Sequence, residues 1–142
     1  MENQGCAFCQ IINRESPAHI VYEDELVCCF LDIDPISEGH VLLVPKEHCH
    51  DMDELEEQVL TRITEAASNI SKAVKEIYHP DGYTIMQNGG MFTDFGHFHM
   101  HVFPRYKDDG FGWTCKALNG ASDLDSVQAR IKGALECAAI QK

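Results

Sequence analysis

The chain has no long apolar run. Stretches such as Val41-Leu42-Leu43-Val44 fall far short of the roughly 20 residues that a membrane-spanning helix needs. Positive charge is also scarce, with 11 Lys and Arg against 23 Asp and Glu, for a formal net charge of -12. Such an excess of acid opposes the counterion release that draws proteins to nucleic acids and anionic membranes, so neither is an expected partner. Any phosphate ligand must be held by local groups. The opening residues Met1-Glu2-Asn3-Gln4 carry no basic region followed by an apolar one, and the expectation is a cytoplasmic protein. No repeat period, low-complexity tract or Pro/Gly-rich linker interrupts the 142 residues, which predicts a single domain over 1–142.

Seven cysteines are present, an odd number that favours a reducing compartment with free thiols or a metal site over a disulfide framework. Cys28, Cys29, Cys115 and Cys137 stand among apolar neighbours and read as small buried hydrophobes. Cys6-x-x-Cys9 is open to three readings: a redox pair, half of a zinc site, or two unrelated thiols. No strand precedes Cys6, which disfavours a thioredoxin-like motif.

Ile20–Tyr22 and Leu26–Leu31 read as strands joined by the short turn Glu23-Asp24-Glu25, and His40–Val44 reads as a third that stops at Pro45. From Asp53 the period changes. Leu55, Val59, Ile63, Ala66, Ile70, Val74 and Ile77 recur at steps of three or four, predicting a long amphipathic helix with Asp51 and Glu54 as its capping box and His79-Pro80-Asp81-Gly82 as its end. Tyr83–Gln87 is a strand, and Asn88-Gly89-Gly90 is a turn or loop able to bring backbone amides near a ligand. Leu124, Val127, Ile131, Leu135 and Ala138 predict a closing helix capped by Ser122. The expected class is α+β: an antiparallel sheet with one long inserted helix and a C-terminal helix, covered on one face.

His97-Phe98-His99-Met100-His101-Val102-Phe103 alternates imidazole with apolar side chains. In an extended chain that period throws all three imidazoles onto one face, with neighbours spaced by about 7 Å. Three readings fit: a hydrogen-bonded row of structural histidines, a metal centre with an open position, or a nucleophilic imidazole with neighbours that stabilise developing charge.

The segment resembles the signature of the histidine triad family of nucleotide hydrolases and transferases at every position from His97 to Phe103. The likeness continues through Cys6–Ile12, Val21–Asp24, Phe30–Ile33 and Gly39-His40-Val41-Leu42-Leu43-Val44-Pro45-Lys46-Glu47-His48, which are similar to the bacterial, Hint-like branch. It spans about residues 6 to 113. The resemblance implies a homodimer that binds a purine nucleotide and splits nucleoside phosphoramidates or related conjugates by double displacement, releasing a nucleoside monophosphate. By the same resemblance His99 is the nucleophile, and His101 and His40 contact phosphate oxygens. Asp32 holds the ribose hydroxyls, Phe8, Ile11, Phe30 and Ile33 line the base slot, and Asn88 helps hold the nucleotide. Cys6, Cys9, His48 and His97 close a structural zinc site, and no catalytic metal is required. From the residues alone, buried Phe and Ile are as readily core, and Asp32 is as readily a turn former.

One segment departs from the family. Relatives carry Gly-Gln-Ser/Thr before the triad, whereas here Met91-Phe92-Thr93-Asp94-Phe95-Gly96 is slightly shorter. Thr93 is the candidate replacement for the hydroxyl, and Asp94 the alternative proton donor, although an ionised carboxylate repels a phosphate. A nucleotide-binding regulatory module with little turnover is the alternative function.

Overall fold

The protein is described by a computed structural model covering residues 5–116 and 123–140. One compact unit runs to Phe111 and a second begins at Gly112. The first contains α1 (Ala7–Ile12), β1 (Ile20–Glu23), β2 (Val27–Leu31), β3 (Val41–Pro45), α2 (Glu57–Tyr78), β4 (Gly82–Gln87) and β5 (Met100–Arg105). The strands form one antiparallel sheet in the order β1-β2-β3-β5-β4, so β5 is laid between β3 and β4. The α+β class expected from the sequence is the observed one.

Both faces of this sheet bear apolar clusters, where the sequence had suggested cover on one. Val27, Cys29, Val41, Leu43, Met100 and Val102 point to one side and pack with Val59, Ile63, Ala66 and Ala67 of α2. Cys28, Phe30, Leu42 and Val44 point to the other and pack with Phe8, Ile11 and Ile12 of α1. This is the period of two of an extended chain, buried twice over. The six-residue α1 lacks the long stripe that announces a helix. Its start is marked only by Cys6, whose Sγ accepts the Cys9 N–H at 3.5 Å.

The inserted helix starts later than its pattern suggested. Met52–Glu54 form a single 3-10 turn, Leu55 is extended, and α2 begins at Glu57 with no side-chain cap. The expected capping pair is used elsewhere, since Asp51 Oδ1 accepts the Gly90 N–H at 2.7 Å and Glu54 Oε2 accepts the His50 N–H at 2.8 Å. Along the stripe Val59, Ile63, Ala66 and Val74 are buried, while Ile77 is exposed. His79 closes the helix in the left-handed conformation, φ 44°, with its N–H on the Lys75 carbonyl.

Pro45 is the last residue of β3 and Pro104 lies inside β5. The β3–β5 ladder spans only Val41–Leu43 against Met100–Val102, so on that side both prolines fall beyond it and need donate nothing. Their carbonyls are taken by side chains instead: Pro45 O by His97 Nε2–H at 3.0 Å and Pro104 O by the Ser37 hydroxyl at 2.7 Å.

The second unit contains α3 (Leu124–Ile140), where Asp123 Oδ1 accepts the Ser126 N–H at 3.4 Å. The expected cap, Ser122, lies outside the described residues. Leu124, Ile131 and Leu135 are exposed. Cys115 and Cys137 are exposed as well, unlike Cys28 and Cys29, because the apolar neighbours that suggested burial do not enclose them.

Candidate active site

The three alternating histidines lead into β5, an interior strand of the sheet. Only His101 lies within β5, since the strand begins at Met100 and His97 and His99 lead into it. The alternation nevertheless holds. Phe98 and Met100 join the α2 core, and the Phe98 N–H is fixed on the Cys49 carbonyl at 2.7 Å. The imidazoles of His97 and His99 lie on the other side, within 5.8 and 5.2 Å of the Phe8 ring by centroid. Rings of His99 and His101 are 4.8 Å apart, closer than the 7 Å backbone repeat, because the side chains lean together.

Each imidazole has a tautomer dictated by its partners. His99 Nδ1 lies 2.8 Å from the His97 carbonyl oxygen. A carbonyl only accepts, so Nδ1 carries the proton and Nε2 is bare. His99 is 3% exposed, flanked by Phe8 and by Phe95 at 6.1 Å, and Phe95 itself lies on Phe8 at 4.8 Å while remaining half exposed. His40 Nδ1 receives the Ile36 N–H at 3.1 Å, and its Nε2 lies 2.9 Å from His101 Nδ1 and 3.6 Å from Asp32 Oδ2. Both ring nitrogens of His40 are therefore engaged. Burial lowers the His40 pKa against the opposing pull of Asp32, and burial beside His99 and His40 pushes His101 down to about 4.

The other expected nucleotide contacts divide. Phe8 and Phe30 are buried with their rings 5.5 Å apart, and Ile11 packs on the same cluster. Ile33 does not join it, being 93% exposed. Asp32 is both the turn former and a site neighbour: Oδ1 accepts the Asp34 N–H at 2.9 Å and Oδ2 faces His40. Asn88 is half-buried with its carbonyl on the Gln87 amide. Thr93 Oγ1 is buried and has no hydrogen-bond partner among the described residues. Asp94 is exposed.

Cys6, Cys9, His48 and His97 come together as the family resemblance implied. Their ligand atoms all lie within 4.8 Å of one another. Cys6 Sγ is 3.4 Å from His97 Nδ1, and Cys9 Sγ is 3.3 Å from His48 Nδ1 and 3.6 Å from His97 Nδ1. A tetrahedral zinc with two thiolates and two imidazoles requires sulfur and nitrogen about 3.6 Å apart, so the donors fit. The Pro45 carbonyl holds the proton on His97 Nε2 and turns a bare Nδ1 to the thiols, the outer-shell arrangement that metal-binding histidines use. Burial and the neighbouring Cys6 push the Cys9 thiol up to about 11, and burial pushes His97 down to about 4.

A well-formed apolar cavity of about 430 Å³ lies apart from this chemistry, between α2 and the β1–β2 side of the sheet, lined by Val21, Leu31, Val41, Ile70 and Val74. Its charged lining groups, Arg62 and Glu65, pair with each other at 3.4 Å. Motif spacing did not single out three groups that shape the site: the Phe95 ring, the Pro45 carbonyl and the Ile36 N–H. The last two are backbone atoms, which no residue-type pattern reveals.

A profile of the HIT domain matches residues 13–108. An uncharacterized HIT-like protein of Methanocaldococcus jannaschii is 40% identical over 130 residues, covering 90% of this chain and 99% of that protein. Adenosine 5'-monophosphoramidase hnt1 of Schizosaccharomyces pombe is 35% identical, covering 77% and 83%. Among solved structures, a HIT family member from Bacillus subtilis superposes with a TM-score of 0.83 at 33% identity, covering 92% and 96%. A zinc-bound histidine triad protein from Mycobacterium smegmatis gives 0.72 at 33% identity, covering 78% and 82%. Sequence, fold and the clustered imidazoles agree, and the chain belongs to the HIT, or histidine triad, family.

Proposed function

We propose that this protein hydrolyses purine nucleoside phosphoramidates or related nucleotide conjugates through a nucleotidyl-histidine intermediate on His99. The observation that carries this reading is the bare Nε2 of His99, freed by the bond from Nδ1 to the His97 carbonyl. In the first step Nε2 forms a bond to the α-phosphorus and the bond to the amine breaks, the amine leaving with a proton from solvent. In the second, water attacks phosphorus, the bond to Nε2 breaks, and a nucleoside monophosphate is released. Such transfer asks mainly for positioning and charge stabilisation, which the neighbouring His101 supplies as a hydrogen-bond donor to phosphate oxygen. Asp32 serves the ribose, Phe8, Ile11, Phe30 and Ile33 the base, and Asn88 and Thr93 the remaining nucleotide contacts. The relative named adenosine 5'-monophosphoramidase supports the substrate class.

Zinc is proposed as a structural ion on Cys6, Cys9, His48 and His97, supported by the donor spacing and by the zinc-bound structural neighbour. All four positions are protein donors, so no vacant coordination site takes part in the chemistry. Homodimerisation is proposed through the free edge of β4, where Tyr83 and Ile85 are each 45% exposed. Incubation with adenosine 5'-phosphoramidate and rapid quenching is the test. Adenosine monophosphate and an acid-labile adenylated protein are expected from wild type and neither from His99→Ala. Equal release by both proteins would overturn the proposal.

A second reading, nucleotide binding with little turnover, is favoured by one observation: Phe95 lies over Phe8 beside His99. Tight monophosphate binding without an adenylated intermediate would establish it.

A further inference from the structure

The mechanism above leaves His40 without a direct task, because neither of its ring nitrogens is available to a ligand. Its surroundings are unusually specific. The Ile36 N–H can only donate, so His40 Nδ1 must accept across their 3.1 Å contact. A neutral His40 then carries its one proton on Nε2, 2.9 Å from His101 Nδ1. That proton makes His101 Nδ1 an acceptor in turn, and the proton of His101 is left on Nε2, which has no partner among the described residues. Asp32 Oδ2, 3.6 Å from His40 Nε2, favours the same placement.

We propose that His40 is a positioning residue that passes the direction of the Ile36 N–H on to His101, fixing the His101 tautomer that offers Nε2–H to the phosphate. The value of this donor rests on the function proposed above; the tautomer itself does not. Adding a second proton to His40 would set Nδ1–H against Ile36 N–H, and adding one to His101 would set Nδ1–H against His40 Nε2–H. Both rings are also 2% and 8% exposed respectively, so water does not relieve either clash. The groups facing the pair are Asp32, His99, Asp94 and the Phe103 ring, and they leave this order of donors unchanged.

The same geometry decides a second question. Asp32, His40 and His101 place three possible metal donors within 4.8 Å of one another. A metal there would need the lone pair of His40 Nε2, moving the proton to Nδ1 and against the Ile36 N–H. The cluster is therefore a hydrogen-bond relay, and divalent zinc is expected at the cysteine site alone.

Long-range proton–nitrogen NMR on histidine-labelled full-length protein tests the relay directly, with His101 assigned by its loss in His101→Asn. Wild type is expected to show His101 protonated on Nε2 and bare on Nδ1 at neutral pH. In His40→Ala, His101 should show mixed tautomers, with turnover falling about 10- to 100-fold, the usual scale for an outer-shell partner. His40→Gln, whose amide N–H can stand where Nε2–H stood, should restore the single tautomer and most of the turnover. Protonation of His101 on Nδ1 in wild type would overturn the proposal, and so would an unchanged tautomer in His40→Ala. Should His40→Ala fail to fold, wild type and His40→Gln still decide. Wild type with the expected tautomer but no release of monophosphate would sink the proposed function and leave the relay standing.

Discussion

The Nδ1–H of His99 donates to the carbonyl of His97, two residues back along the same strand approach, across 2.8 Å. A side chain is thus oriented by its own backbone, and its other nitrogen is left with a lone pair. Replacing His99 with Ala should reduce monophosphate release by about a thousandfold or more, the scale of losing a nucleophile. Chromatographic assay of adenosine monophosphate checks this, and the variant should retain its fold by circular dichroism because the Phe98 and Met100 core is untouched.

Phe95 flanks the His99 ring. With its ring on Phe8 and 6.1 Å from His99, Phe95→Ala should speed the modification of His99 by diethylpyrocarbonate severalfold. Peptide mapping of the modified histidine is the measurement, and an unchanged rate would show that access comes from another side.

Elemental analysis should find one zinc for each set of Cys6, Cys9, His48 and His97. A metal present at a hundredfold its dissociation constant adds about 2.7 kcal/mol to stability. Chelation should therefore lower the thermal midpoint by about 8 °C, with recovery when zinc is returned.

Stability should also fall on mild acidification through His101. The unfolded chain takes up this proton near the ordinary histidine value of 6.5, while the folded protein resists until about 4. Unfolding binds a proton in that window, so the contribution is intact above pH 6.5 and is lost as pH falls towards 4, by roughly 3 kcal/mol. Denaturant titrations at pH 7 and 5 capture part of the loss, and His101→Asn should shrink the difference, leaving the share of His40 and His97.

Gly39 sits immediately before His40 with φ +88°, and a Cβ there would stand 2.4 Å from Tyr78 Cε2. Gly39→Ala should cost about 2 kcal/mol or more from strain and clash together. In a Tyr78→Ala background the clash disappears but the backbone strain remains, so a double-mutant cycle separates the two.

Much of this site is visible in residue types at fixed spacing. The alternation from His97 to Phe103 separates imidazoles from core residues because side chains of an extended chain alternate, and that held even though only its second half is strand. Cys6-x-x-Cys9 by itself left three readings open, and the family resemblance is what joined it to His48 and His97. Helix boundaries were less legible. Asp51 and Glu54 carry a capping signature, yet the Gly90 and His50 amides compete for the same carboxylates and win. Ile33 stands in solvent, apart from the Phe8 and Phe30 cluster, because hydrophobicity alone does not say which side chains pack together.

The sequence by itself determined which side chains of each strand share a face and which imidazoles and thiols the chain can offer, because period and side-chain type are local properties. Tertiary structure alone decided which nitrogen of each ring carries its proton. That choice is made by backbone groups of Ile36, Pro45 and His97, which every sequence contains and only folding can aim.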